Sequence, residues 1–137
     1  MVNFNESGGI MKKIIISTIL IIFCGCSTIN YNKNDVYLSF IDTKNEFVKV
    51  VAENRKDIID KFFVNSIKNN IILRNINNIN LNDIFVFIPE NQIIVENYNK
   101  ISTPIVLTYG TNSAYFVVVW KNYDGMWKIY DIYEKQN

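Results

Sequence analysis

Two thiols and no imidazole bound the chemistry open to this 137-residue chain. Cys24 and Cys26 are its only cysteines, one residue apart near the N-terminus, and it has no histidine. Beyond Cys26 there is thus no Cys- or His-based nucleophile–base pair and no zinc site built from nitrogen and sulfur ligands. A carboxylate calcium loop needs a D-x-[DN]-x-[DN]-G pattern, which does not occur. No catalytic, cofactor or metal residue is assigned. Asp83 and Asp131 are the acids that begin or lie within segments read as strands. Asp131 beside Tyr109 or Tyr130 would make an acid–phenol pair suited to proton transfer; the plainer reading turns it outward near a sheet end. Tyr109, Trp120, Trp127 and Tyr130 are candidates for a ligand pocket or a partner surface. For the two tryptophans core packing is the simpler expectation, because aromatic rings supply much of a buried area.

The thiols close a distinctive segment, Met11–Ser27 (MKKIIISTILIIFCGCS). Lys12 and Lys13 are followed by an uncharged run, Ile14–Phe23. That run is too short to span a bilayer, which takes roughly 20 apolar residues, and it fits the apolar region of an export signal. The segment resembles a bacterial lipoprotein signal, in which a bulky residue, a variable residue and a Gly or Ala precede the lipidated cysteine. Phe23, Cys24 and Gly25 before Cys26 fit that pattern, although Leu is commoner at the first place. The resemblance implies cleavage between Gly25 and Cys26, and a diacylglyceryl thioether on Cys26. Ser27, where a retained inner-membrane lipoprotein would carry Asp, implies an outer-membrane address if the cell has such a membrane. Residues 1–10 carry Glu6 ahead of the lysines. Gly8-Gly9 can be encoded as GGAGG, so translation is expected to start at Met11.

Removing residues 1–25 leaves enough chain for one domain with a single core. The remainder is balanced, with 12 basic and 12 acidic side chains. A nucleic-acid binder would show a basic excess, and a polybasic membrane patch would too. No nucleic-acid partner is expected. Residues 26–34 read as the lipidated Cys and a polar tether, and residues 35–137 as one domain. The tether Ser27–Asn34 reaches at most about 28 Å.

The elements that must position these groups read as helices first and strands afterwards. Asn34 can cap a helix over Asp35–Ile41. Thr43-Lys44-Asn45-Glu46 has the form of a capping box. Phe47, Val50, Val51, Ile58, Ile59, Phe62, Phe63 and Ile67 then recur at mostly helical steps, as one long amphipathic helix or as two with a joint near Asn54-Arg55. The Asn-rich stretch Asn69–Asn82 reads as a loop with a short strand or helical turn. Strands are predicted over Asp83–Ile88, Gln92–Tyr98, Pro104–Tyr109, Tyr115–Lys121 and Met126–Tyr133. For the last hairpin, a two-residue Asp124-Gly125 turn would set Lys121 against Lys128. A three-residue Tyr123-Asp124-Gly125 loop is therefore expected.

This order implies an α+β fold, with N-terminal amphipathic helices packed on a curved antiparallel sheet of about 4–5 strands. The stretch Val117–Tyr130 (VVVWKNYDGMWKIY) resembles the closing hairpin of nuclear transport factor two-like, cystatin-like lipoproteins. That resemblance implies a cone of sheet wrapped on helices and bears on fold more than on function. Three functions are expected from these features. The first is an envelope lipoprotein, anchored at Cys26 and facing the periplasm or cell exterior, whose non-enzymatic domain binds a protein or a small apolar ligand. The second is a periplasmic immunity protein that neutralises a secreted toxin. The third is a small isomerase or hydrolase working inside the cone.

Overall fold

The structure, a computed structural model, describes residues 29–135. Gly25 and Cys26 lie outside the described residues. From Tyr31 onward the chain forms one compact unit. It is an α+β fold: two helices on a five-stranded antiparallel sheet.

Helix α1 (Lys33–Ala52) runs unbroken for 20 residues. Its cap is Asn32 rather than Asn34: the Asn32 side chain accepts the Asn34 N–H at 2.9 Å. The Thr43–Glu46 capping box does not form, since all four residues lie inside this helix. Phe40, Lys44, Phe47 and Val51 follow at steps of four, three and four and are all buried on one face. Keeping that face continuous outweighs a cap contributing about 1 kcal/mol. Of the two expected arrangements, the chain adopts the break near Asn54-Arg55 rather than one long helix. Asn54 takes φ 52°, its N–H donates to Val51 O at 3.0 Å, and the Arg55 N–H donates to Val50 O at 3.0 Å. These two bonds with a left-handed Asn make a Schellman ending.

Beyond the joint the helical periodicity does not become a helix. Ile59–Phe62 is a single 3₁₀ turn, and Phe63 is extended. Phe63 bridges Ile129 in parallel, and the Val64 N–H donates to Ile129 O at 2.9 Å. Adjacent apolar pairs, Ile58-Ile59 and Phe62-Phe63, satisfy a turn followed by extended chain as well as they satisfy a helix. The backbone bond to Ile129 and the burial of Phe62 and Phe63 select the turn.

Helix α2 (Ile67–Asn77) occupies much of the stretch expected to be a loop. Ser66 caps it, its Oγ accepting the Asn69 N–H at 3.1 Å. Ile72, Leu73 and Ile76 pack against the core. Asn69, fully buried, donates from Nδ2 to Val64 O at 2.8 Å and to Ile129 O at 3.0 Å. Tertiary contacts thus override the weak helix propensity of Asn. Replacing Asn69 by Ala strands the Val64 carbonyl and should cost about 1–3 kcal/mol. A shift of the urea midpoint measures it, and an unchanged midpoint would show that α2 is held without this side chain.

The strands are β1 (Ile84–Phe87), β2 (Ile94–Asn97), β3 (Lys100–Tyr109), β4 (Asn112–Tyr123) and β5 (Met126–Glu134). The order is β1-β3-β4-β5, with β2 on the same edge of β3 as β1. β3 and β4 begin earlier than read from sequence, because Lys100–Thr103 and Asn112–Ala114 extend the same ladder. Pro104 falls between Ser102, the last partner of β2, and Val106, the first partner of β1. That interval of β3 has no second neighbour, so the missing proline N–H is tolerated.

The final hairpin has the two-residue turn, not the three-residue loop. Tyr123 pairs with Met126 and Lys121 with Lys128. Asp124 (φ 52°) and Gly125 (φ 87°) both occupy the left-handed region, as a type I′ turn requires. The anticipated lysine clash is relieved sideways. A bulge between Val119 and Trp120 leaves Tyr130 without a direct partner, and the Lys121 ammonium rests 3.6 Å from the centre of its ring.

Candidate functional site

Alternation gives the sheet an inner face of Val86, Ile101, Ile105, Val118, Trp120, Trp127 and Ile129. Two regions of that face are filled differently. Under α1 the aromatics interlock. Trp120 meets Phe40 at 5.2 Å and Phe47 at 5.6 Å, edge to face, and Trp127 meets Phe40 at 5.7 Å. Each indole finds a partner: Trp120 Nε1 donates to Thr103 Oγ1 at 3.0 Å, and Trp127 Nε1 to Ser39 Oγ at 3.1 Å.

Toward α2 the walls turn aliphatic, and the packing leaves a cavity of about 310 Å³. Ile59 from the 3₁₀ turn and Phe63 just after it, Ile72 and Ile76 from α2, Ile105 and Leu107 from β3, Phe116 and Val118 from β4, and Ile132 from β5 line it. Ile79, Tyr133 and Glu134 also line the cavity and are exposed, so they mark its mouth. Neither lysine nor arginine contributes to the wall. Such a site can hold an apolar body and present one carboxylate to whatever emerges. An apolar pocket with few polar groups is the usual form of a small-molecule site.

None of the four aromatic residues proposed from sequence lines this cavity. Trp120 and Trp127 are core residues, 0% and 2% exposed, which corrects their assignment to a pocket or partner surface. Their rings point inward under α1, where each closes a hydrogen bond, Trp120 with two aromatic contacts and Trp127 with one. Tyr109 and Tyr130 are exposed, the first at the β3–β4 turn and the second at the bulge. Asp131 pairs with Lys68 of α2 rather than with a tyrosine, and its side chain is 39% exposed. No acid–phenol pair is therefore assembled from Asp131 and Tyr109 or Tyr130. The sequence does not announce the cavity, because four of its lining residues, Ile72, Ile76, Ile79 and Leu81, sit in the Asn-rich stretch. The three- and four-residue spacing of Ile72, Ile76 and Ile79 is the available signal.

The outer face carries a second feature. Phe85, Phe87, Tyr115, Tyr130 and Tyr133 are exposed on it. Near its β2 edge the Glu96 carboxylate accepts from Lys100 Nζ at 2.6 Å and from Ser102 Oγ. Hydrogen bonding from Lys100, then from Ser102, holds the Glu96 carboxyl below its ordinary range, and Glu96 in turn raises Lys100. Among the described residues no cluster of three or more Asp or Glu side chains could hold a metal ion. No helix of the described residues is long and apolar enough to cross a membrane.

Comparison with family models, with curated proteins and with solved structures gives no match for this chain.

Proposed function

We propose that this chain is a bacterial envelope lipoprotein, anchored through Cys26, whose domain binds a small apolar ligand between its helices and its sheet. The observation that carries this reading is the cavity of about 310 Å³ with its apolar wall. An engineered apolar cavity of about 150 Å³ already stays dry and takes up benzene, so a space of this size favours an organic occupant. The groups facing the cavity support binding rather than chemistry: Glu134, at the mouth, is the titratable side chain on the inner-face register. The helix-then-sheet order is consistent with the cone suggested by the hairpin resemblance. The Met11–Ser27 segment supports delivery to the envelope.

A photoreactive octyl alcohol carrying a diazirine tests this on the full-length protein in its own membranes. Peptides containing Ile76, Phe116 or Ile132 should carry the adduct. Leu107→Trp, which fills the cavity, should lower labelling more than tenfold while the circular dichroism spectrum is retained. Ile132→Phe provides a milder filling if the first variant does not fold. Labelling spread evenly over surface peptides would defeat the reading.

A second reading, a protein-binding domain such as an immunity protein against a secreted toxin, is favoured by the exposed aromatics of the outer face. A toxin gene beside this one would favour it.

A further inference from the structure

The mouth of the cavity carries a charge of one sign. Glu134 stands opposite Phe116 in the ladder, on the inner-face register, and lines the cavity. Among the described residues it joins no ion pair. Lys135, its neighbour, lines the groove on the opposite face of the sheet, and its backbone N–H donates to Tyr115 O at 3.1 Å. Lys68 of α2 is committed to Asp131. The wall itself offers no lysine or arginine. An apolar tail seated here would therefore place its head beside a carboxylate with no cation lining the wall to offset it.

Resting on the apolar-ligand reading above, we infer that Glu134 sets the headgroup preference of the cavity: its occupant is a short alkylammonium amphiphile, and free fatty acids are disfavoured. An ammonium head gains an ion pair at the rim, whereas a carboxylate head meets a like charge. A free fatty acid is the more familiar guest of an apolar cavity, but it would call for a lysine or arginine at the mouth. The one charged group lining this mouth is Glu134.

Three octyl diazirine probes, differing only in an amine, an alcohol or a carboxylate head, test this on the full-length protein in membranes. The amine should label cavity peptides roughly fivefold to tenfold more than the carboxylate, as a rim ion pair gained and a rim repulsion avoided together allow. Glu134→Gln should bring that ratio near one, and Glu134→Lys should invert it. Comparing each probe across variants removes differences in its own membrane partitioning. Cavity labelling by all three probes with a ratio unmoved by Glu134→Gln and Glu134→Lys would overturn the headgroup assignment and leave the cavity reading standing. Absence of cavity labelling by the alcohol would overturn both.

Discussion

Replacing Trp120 by Ala should destabilise the domain by about 3–5 kcal/mol, the usual range for deleting a large buried aromatic side chain. Trp120 is completely buried, stacks edge-on against Phe40 and Phe47, and closes the Thr103 hydroxyl with its indole N–H. Both helix-facing aromatics would lose their shared neighbour, and the void would lie where the packing is aromatic rather than adaptable. Single domains hold about 5–15 kcal/mol in total, so the variant should lose a substantial share of its stability. Its melting temperature should fall by roughly 12–40 °C, on a scale of about 4–8 °C per kcal/mol for a domain of this size. Trp120→Phe keeps a ring and loses the Thr103 bond, so its loss should be smaller. A melting shift of a few degrees for Trp120→Ala would show that the core is not centred on this ring.

Cys26→Ala should move the protein from the membrane fraction to the soluble fraction almost completely. Each buried methylene contributes about 0.8 kcal/mol, and durable attachment takes more than one acyl chain. The diacylglyceryl thioether proposed on Cys26 would supply two, and removing Cys26 would remove both. The neighbouring Cys24→Ala should leave membrane association unchanged, because Phe23 before it does not suit the cleavage position. Membrane retention of the Cys26 variant in a carbonate-washed fraction would overturn the anchor. Equal release of both variants would move the lipid to neither or to both thiols.

The strands were legible because β-branched and aromatic runs ended at Pro89, Gly110 and Gly125, and each run supplied a strand of the sheet. The end of α1 was legible for a related reason: Asn54 tolerates the left-handed backbone that the joint demands. Misreadings arose where a local signal met a larger tertiary one. Thr43–Glu46 has capping chemistry but sits on a helix whose buried face runs on through Lys44 and Phe47. Asn69 looked like a turn former, yet its side chain bonds the Val64 and Ile129 carbonyls and fixes α2. The lysine pair at the last hairpin weighed against the true register because the rescue, Lys121 over Tyr130, depends on a bulge that sequence alternation does not announce. The cavity was hidden for a similar reason. It is a space between aliphatic walls from distant segments, and aliphatic residues at helical steps signal burial without signalling a void.

The parallel bridge between Phe63 and Ile129 has a consequence beyond its two residues. β5 ends the strand order, and an uncovered last strand invites another chain to add to it. Phe63, Val64 and the Asn69 amide occupy that side of Ile129, so part of the strand is closed to a newcomer. If copies are tethered to one membrane, they meet at a high two-dimensional density, where strand addition between neighbours would spread as a cross-linked film. A short turn inserted between two helices then serves as a quarantine, keeping a crowded population of tethered domains as separate molecules.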